Sequence, residues 1–232
     1  MYGSADVTVI RSSEILIHLN CISEVNFFKF GGYQELMKDI FFATGNEGKL
    51  EEMQQPFARA GYKLVQVEAD VPEIDAMDVE EVAERKVMDS YQEAVLNQEI
   101  GSVDYFIVED TGFYVKALDG FPGAEAAFFA GTAGAEKLLD LMEDEENREA
   151  YFRTAIAVYM PGKDEIKVFT GKMAGQIPEE KKGESHPHLP YNSYFVPDHG
   201  DGESLAENED LKNAEMHRRK AVNKVIDWLD NQ

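Results

Sequence analysis

Apolar positions recur with two different periods along the chain, and the changes between them predict alternating strands and helices. Alternating or continuously apolar stretches predict strands at residues 37–42, 63–67, 105–108, 154–159 and 166–175. Apolar positions three and four residues apart predict helices at residues 49–59, 79–96, 132–143 and 214–229. The last two strands flank a turn at 161–164 and are expected to pair antiparallel. The pattern predicts a single α/β domain, with a mixed central sheet flanked by helices and two lobes around a cleft.

The first 36 residues differ in composition from the rest of the chain. They contain only four acidic residues and include alternating apolar stretches such as 7–10 and 14–17. We interpret residues 1–36 as an N-terminal extension, either a loosely ordered tail or the product of a start upstream of Met37. An extra hairpin or a partner-binding arm is the alternative. The functional domain is predicted to span residues 37–232.

Charge and composition restrict the classes of partner. The 232-residue chain has 45 acidic and 22 basic residues and a formal net charge of −23, which repels nucleic acid and anionic membranes. We therefore expect neither as a partner. The acidic surface suits solubility, or a salty cytosol that would screen it. A single cysteine, Cys21, excludes an internal disulfide and a cysteine-built metal site. Since no apolar run reaches about 18 residues, the chain is predicted to be cytoplasmic.

The turn after the first strand is the first candidate site, because a polar segment that contains glycine follows an apolar strand there. Gly45 and Gly48 would let backbone N–H groups approach an anion. A helix that begins near Glu47 or Gly48 would direct its positive end at that anion, and Lys49 would add a full charge. The segment is not a Walker A loop, since Leu50 stands where that pattern needs Ser or Thr. An ordinary corner between strand and helix is the alternative.

Glu109 and Asp110 form an acid pair at the predicted end of the strand 105–108, just before a predicted turn at Gly112. Acid pairs of this kind bind hard cations, and Mg²⁺ needs only one or two carboxylates because water and substrate phosphates complete its shell. Asp110-Thr111-Gly112 also matches the triplet of aspartic proteases. The chain has one copy, so such a protease would have to be a homodimer that brings two aspartates together. Metal dependence separates the two hypotheses.

Basic residues concentrate near the C-terminus of this acidic chain, where they could bind a triphosphate. The set is Lys212, His217, Arg218, Arg219, Lys220 and Lys224. On a helix these side chains cannot all share one face, so part of the set is expected to be solvated. The histidines His186 and His188, with Asp198 and His199, fit no zinc pattern and are interpreted as solvated or packing groups.

Several segments share their residues and their order with the motifs of one protein family. They are Thr44-Gly45-Asn46-Glu47-Gly48-Lys49, Glu109-Asp110-Thr111-Gly112-Phe113, Gly120-Phe121-Pro122-Gly123-Ala124, Gly171-Lys172-Met173-Ala174-Gly175-Gln176-Ile177 and His217-Arg218-Arg219-Lys220-Ala221. From about Met37 onward the chain thus resembles the inosine triphosphate pyrophosphatase (Ham1-like) family. The resemblance implies a magnesium-dependent homodimer that hydrolyses ITP, dITP and XTP to the monophosphate and pyrophosphate. A member that binds nucleotides without turning them over is the alternative.

The resemblance also implies roles for individual residues. Asp110 corresponds to the general base and a metal neighbour, and Glu73 to a second position near the metal, with a solvated loop acid as the alternative for Glu73. The implied substrate contacts are Thr44, Gly45, Asn46, Glu47, Gly48, Lys49, Thr111, Leu189, Pro190, Tyr191, Asn192, Lys212, His217 and Arg218. Of these, Arg218 would donate to the 6-oxo group of the purine.

The loop expected over the base departs from the family pattern. Leu189-Pro190-Tyr191-Asn192 stands where the family usually has Phe-Gly-Tyr-Asp. Leucine cannot stack on a purine as an aromatic ring does, and Asn192 offers donors as well as an acceptor. We therefore expect discrimination between 6-oxo and 6-amino purines to depend on Arg218. It should fall short of the factor of about 10⁴ to 10⁵ that sites demanding a specific hydrogen bond reach.

Overall fold

The computed structural model describes residues 37–69, 71, 76–184, 189–208 and 216–232. Within these ranges one seven-stranded sheet has the order β2-β1-β3-β5-β6-β7, and β4 pairs with β3. The strands are β1 (Lys38–Ala43), β2 (Tyr62–Val67), β3 (Phe106–Val115), β4 (Pro122–Gly123), β5 (Glu149–Met160), β6 (Glu165–Gln176) and β7 (Val196–Pro197). The α-helices are α1 (Glu47–Arg59), α2 (Val79–Leu96), α3 (Ala126–Ala133), α4 (Lys137–Leu141) and α5 (His217–Leu229).

The sheet is mixed, as the sequence predicts. Strand β1 runs parallel to both β2 and β3, and the neighbours in the series β3, β5, β6 and β7 pair antiparallel. Parallel neighbours need a crossover connection, and α1 and α2 are those connections. The single α/β domain with helices around a mixed sheet is therefore confirmed. The two lobes around a cleft stay a prediction.

Helices cover both faces of the sheet, and β3 contributes side chains to each face. Phe106 and Val108 share a buried cluster with residues of α2, whereas Ile107 belongs to a cluster with residues of α1 and α5. Successive side chains of a strand point to opposite faces. Glu109 therefore lies on the face covered by α1 and α5, and Asp110 lies on the face covered by α2.

The predicted end of the third strand was wrong. Strand β3 continues through the acids and the glycine to Val115, and Gly112 pairs with Arg153 of β5 instead of turning. A Cβ atom at Gly112 would lie 2.7 Å from the carbonyl oxygen of Gly123 and 2.7 Å from the ring of Tyr114. The glycine is therefore needed for the close approach of β4.

The predicted helix at 132–143 was also wrong, because two short helices, α3 and α4, occupy this region. They are separated at Gly134, whose φ of +88° is a conformation that residues with a side chain rarely adopt. The helices predicted at 49–59 and 79–96 and the hairpin of β5 and β6 are confirmed. In the described part of the chain the last helix begins at His217, since residues 214 and 215 lie outside it.

The predictions for the N-terminal extension concern residues 1–36, which lie outside the described ranges. Among the described helices α2 is the longest, at 18 residues, and none combines the length and the hydropathy of a bilayer-spanning segment.

Candidate active site

The turn between β1 and α1 is formed by local hydrogen bonds that fix the start of the helix. The backbone N–H of Asn46 donates to Thr44 Oγ1 over 3.1 Å, and Asn46 Oδ1 accepts from the backbone N–H of Lys49 over 3.1 Å as the N-cap. Helix α1 begins at Glu47, as predicted. A Cβ atom at Gly45 would meet no atom within 4 Å, so open space adjoins the turn. These features suit the approach of an anion to the helix N-terminus.

A buried carboxylate, Glu109, forms the centre of the site. Its Oε2 lies 2.6 Å from Lys49 Nζ and its Oε1 lies 3.0 Å from Arg218 Nε. The hydroxyl of Thr111 donates to Oε1 over 2.5 Å. Burial alone would raise the pKa of Glu109, but the charges of Arg218 and Lys49 outweigh it and hold the pKa well below its usual range. The carboxylate is therefore ionised and joins β3 to α1 and α5.

Arg218 links the N-terminal turn of α5 to α1. Besides Glu109 it forms an ion pair through Nη1 with Glu52, and its Nη2 lies 3.4 Å from Thr111 Oγ1. Burial lowers its pKa, but the two carboxylates outweigh burial and raise the pKa further above its ordinary value. The guanidinium is thus held in one orientation by acids from two elements. Sequence reasoning missed Glu52, although its spacing from Lys49 puts both on one side of α1.

His217 occupies the first position of α5 and is buried. Its Nδ1 lies 2.6 Å from Thr154 Oγ1, which in turn lies 2.5 Å from Thr111 Oγ1. The imidazole stacks on Phe152 with ring centroids 5.0 Å apart. Burial, reinforced by the charge of Arg218, lowers the pKa of His217 to about 3. The imidazole is therefore neutral near pH 7. Thr154, its hydrogen-bond partner, has no distinctive sequence signal and was not predicted.

Stability should decrease as the pH falls, because His217 is buried in its neutral form. Below its ordinary pKa of 6.5 the unfolded chain protonates this residue, whereas the folded protein keeps it neutral down to about pH 3. A depressed pKa of a base therefore gives stability that is complete above 6.5 and is lost as the pH falls, by about 1.4 kcal/mol per pH unit. The measurement is the free energy of unfolding in urea between about pH 7 and about pH 4, with a shallower slope expected in His217→Gln.

The matched control for this prediction is His199→Gln, which alters an exposed histidine and should keep the wild-type slope. Equal slopes in the wild type and in His217→Gln would contradict the buried neutral imidazole.

Asp110 lies in the same strand as Glu109 but on the opposite face, where it pairs with Ala155 of β5. Its Oδ2 is buried and has no hydrogen-bond partner among the described residues. Burial raises the pKa of Asp110, Lys49 opposes this shift, and Glu109 adds to it. A buried carboxylate oxygen without a protein partner suits a bound cation or water. The two acids thus face opposite sides of β3, and Glu109 is paired with Lys49 and Arg218. Cation binding by the acid pair stays a prediction.

The donor set fits Mg²⁺, although no group of three potential ligands occurs among the described residues. Magnesium is typically held by one or two protein carboxylates together with water and phosphate oxygens, and Asp110 would supply one such carboxylate. Glu73, the second predicted ligand, lies outside the described residues, as does Lys212.

The segment predicted to lie over the base is a short 3-10 helix, Pro190–Tyr194. Tyr191 is buried, stacks on Phe113 of β3 at a centroid distance of 4.8 Å and donates its hydroxyl to the carbonyl of Ala126 over 2.5 Å. Asn192 is also buried, and its backbone N–H donates to the carbonyl of Leu189. The segment thus packs on the strand that carries the two acids. Its contact with a purine stays a prediction.

The structure therefore brings together only part of the predicted set. Lys49, Thr111, His217 and Arg218 converge on Glu109, either directly or through Thr154.

Comparisons with known proteins identify the family of this chain. A sequence model of the Ham1 family matches residues 40–228. The dITP/XTP pyrophosphatase of Methanopyrus kandleri is 36% identical over 193 residues, 83% of this chain and 96% of that protein. The dITP/XTP pyrophosphatase of Thermococcus kodakarensis is 34% identical over 190 residues, 82% of this chain and 96% of that protein. The Staphylococcus aureus Ham1 protein is similar in structure, with a TM-score of 0.69 and 29% identity, over 84% of this chain and 99% of that chain. The resemblance drawn from the motifs is confirmed, and the chain belongs to the Ham1 family.

Proposed function

We propose that this protein hydrolyses non-standard purine nucleoside triphosphates, dITP, ITP and XTP, to the monophosphate and pyrophosphate. The observation that carries the proposal is the buried Oδ2 of Asp110, which has no protein partner in the described part of the chain and lies near the charge of Lys49. The relatives named dITP/XTP pyrophosphatase support the substrate class. The aspartic protease hypothesis receives no support from family membership.

In this mechanism Asp110 accepts a proton from the attacking water. In the metal-free protein burial raises the pKa of Asp110, and a bound cation would oppose that shift by favouring the ionised carboxylate that accepts the proton. The oxygen of water then bonds to the α-phosphorus. The bond from the α-phosphorus to the oxygen that bridges the α and β phosphates breaks, and pyrophosphate leaves with that oxygen. Mg²⁺ held by Asp110, and by Glu73 as the second candidate, would neutralise phosphate charge.

Lys49 and the turn before it would hold the phosphates. The ammonium of Lys49 has three donors, and it contacts the carboxylate and the backbone carbonyl of Glu109, which leaves a donor for substrate. The backbone of residues 44–48 and the N-terminus of α1 would add electrostatic attraction, and Lys212 is a further candidate. Fixed charges of this kind stabilise a transition state without reorganising during the reaction.

Arg218 and His217 would select the purine. The Nη2 of Arg218 makes only a long contact of 3.4 Å with Thr111 Oγ1, so it is the nitrogen of this fixed guanidinium with the most donor capacity left for a 6-oxo group. A guanidinium only donates, and it would meet the donors of a 6-amino group unfavourably. Leu189, Pro190, Tyr191 and Asn192 would lie near the base.

The test is pyrophosphate release from dITP in the presence of Mg²⁺, with dATP as the comparison substrate and a chelator as the metal control. We expect turnover of dITP that needs the metal, and a lower kcat/KM for dATP. Binding of dITP without pyrophosphate release would favour the alternative of a nucleotide-binding protein that lacks activity.

We also propose that the protein is a homodimer that associates through an apolar surface formed by Met77, Phe121 and Phe128, here called the α3 surface. These side chains are 48%, 37% and 64% exposed. Phe121 packs on Phe129 of α3 at 5.1 Å, and the side chain of Met77 lies close to Gly123, next to Phe121 and Pro122. Helix α3 has no charged residue in a chain of net charge −23, so its own side chains add no charge repulsion when two copies approach there.

Phe128→Glu should convert the dimer to a monomer, because a symmetric interface would bury the new charge twice, without a partner. Sedimentation equilibrium measures the mass. The control is Leu96→Glu, since Leu96 is also an exposed apolar residue, with 80% exposure. It lies at the C-terminal end of α2, roughly 25 Å from Val79, which begins the helix two residues after Met77. The control should stay dimeric. A dimeric Phe128→Glu protein would exclude the α3 surface as the interface.

We propose that residues 37–232 form the pyrophosphatase domain and that the enzyme is cytoplasmic. A chain that begins at Met37 should melt cooperatively and keep the full-length kcat/KM for dITP, because β1 begins at Lys38 and the family match begins at residue 40. Loss of cooperative melting or of most activity would show that residues 1–36 are structural.

A further inference from the structure

Gly171 of β6 lies unusually close to the backbone of α5. A Cβ atom built on Gly171 would be 1.9 Å from the carbonyl oxygen of His217 and 2.8 Å from the backbone nitrogen of Ala221. Non-bonded heavy atoms need about 3.5 Å, so the added methyl group would displace the helix by more than about 1 Å. The obstructing atoms belong to helical backbone and cannot move as a side chain would. Because Gly171 does not have a positive φ, the glycine provides space for the helix, not an unusual backbone conformation.

The turn of α5 that packs on Gly171 carries His217 and Arg218. Gly171 pairs directly with Thr154 of β5, whose hydroxyl lies 2.6 Å from His217 Nδ1. The next residue, Arg218, lies 3.0 Å from Glu109. Hydrogen bonds are lost beyond about 3.5 Å, so these contacts tolerate a lengthening of less than about 1 Å. The position of both side chains therefore depends on how closely α5 approaches β6.

The other half of α5 is anchored independently of Gly171. Val225 and Leu229 are buried, and Trp228, the only tryptophan of the chain, packs on Phe169 of β6 and Tyr105 at centroid distances of 5.5 Å and 6.0 Å. A methyl group at Gly171 is therefore expected to tilt the N-terminal turn while the C-terminal half stays in place.

We propose that Gly171 is a positioning residue for purine selection, because it permits the helix approach that places Arg218 and His217. This inference rests on the proposed function. Gly171 itself does not touch substrate, and it acts through the backbone of α5.

The experiment compares kcat/KM for dITP and dATP in the wild type, Gly171→Ala and Gly162→Ala. Gly162 lies in the turn of the same hairpin and has no atom within 4 Å of an added Cβ, so it is the matched control. In Gly171→Ala we expect kcat/KM for dITP to fall about 100-fold, the loss typical of a displacement of about 1 Å, and that for dATP to fall much less. The ratio of kcat/KM for dITP to kcat/KM for dATP should therefore fall, while the fluorescence emission of Trp228 stays as in the wild type.

Two outcomes in Gly171→Ala would overturn the proposal. One is an equal proportional loss for both substrates, and the other is loss of the wild-type Trp228 emission, since either would mean a role in the fold as a whole. A second variant, Thr154→Val, removes the hydroxyl partner of His217 without adding volume. It should also lower the ratio of kcat/KM for dITP to kcat/KM for dATP. An unchanged ratio in Thr154→Val would also contradict the proposal. A wild type that releases no pyrophosphate from dITP would instead refute the proposed function.

Discussion

Asp110→Asn should lower kcat/KM for dITP by at least ~10²-fold, the usual contribution of a general base, and leave the fold intact. The amide has the shape of the carboxylate but lacks its negative charge and its basic lone pair. The buried Oδ2 has no hydrogen-bond partner in the described residues, so the substitution breaks no hydrogen bond at that atom. The measurement is pyrophosphate release under saturating and limiting dITP, alongside thermal melting.

Asp39→Asn is the control for this prediction, because Asp39 is an exposed aspartate of the neighbouring strand β1. It should keep wild-type turnover. Near-normal hydrolysis by Asp110→Asn would remove Asp110 from its role as base. Binding of dITP measured by calorimetry distinguishes a loss of chemistry from a loss of affinity.

Glu109→Gln should lower the free energy of unfolding by about 3 kcal/mol, near the lower end of the effect of breaking a buried ion pair. The substitution removes the charge that Lys49 and Arg218 share in the interior. The loss is limited because Arg218 keeps Glu52 and because Lys49 is 22% exposed. Urea unfolding at pH 7 measures the effect.

The control is Glu51→Gln, an exposed acid of α1, which should change stability by less than about 0.5 kcal/mol. A Glu109→Gln protein as stable as the wild type would show that the ion pairs of this carboxylate do not stabilise the packing of α1 and α5 on β3.

The period of the apolar positions was sufficient to predict elements whose contacts are local. Helix α2 has its predicted limits because Asp78 caps its first turn and because its apolar residues recur on one face. The extent of β3 could not be predicted, since Glu109, Asp110 and Thr111 interrupt its apolar pattern. The burial of Glu109 is compensated by Lys49 and Arg218, which are distant from it in sequence. Gly112 resembles a turn residue unless the approach of β4 is known.

The candidate site was predicted in its residue types but only partly in its geometry. Motif order identified Asp110, Lys49 and Arg218, because the family resemblance carries their roles. It could not show that Glu109 and Asp110 face opposite sides, since that depends on where β3 starts and on which helices cover it. Thr154 has an ordinary position in a strand, and only the approach of α5 to β6 makes it a partner of His217.

The alternation of β3 also determines where the length of this chain can vary. Inserting or deleting one residue within β3 before Glu109 would reverse the facing of every residue that follows in the strand. The carboxylate that pairs with Lys49 and Arg218 would then point at α2, and the proposed base would face α1 and α5. The turn between β5 and β6 carries no such constraint, because Gly162 has open space around it. Tolerance of insertions should therefore be high in that turn and absent between Phe106 and Val115.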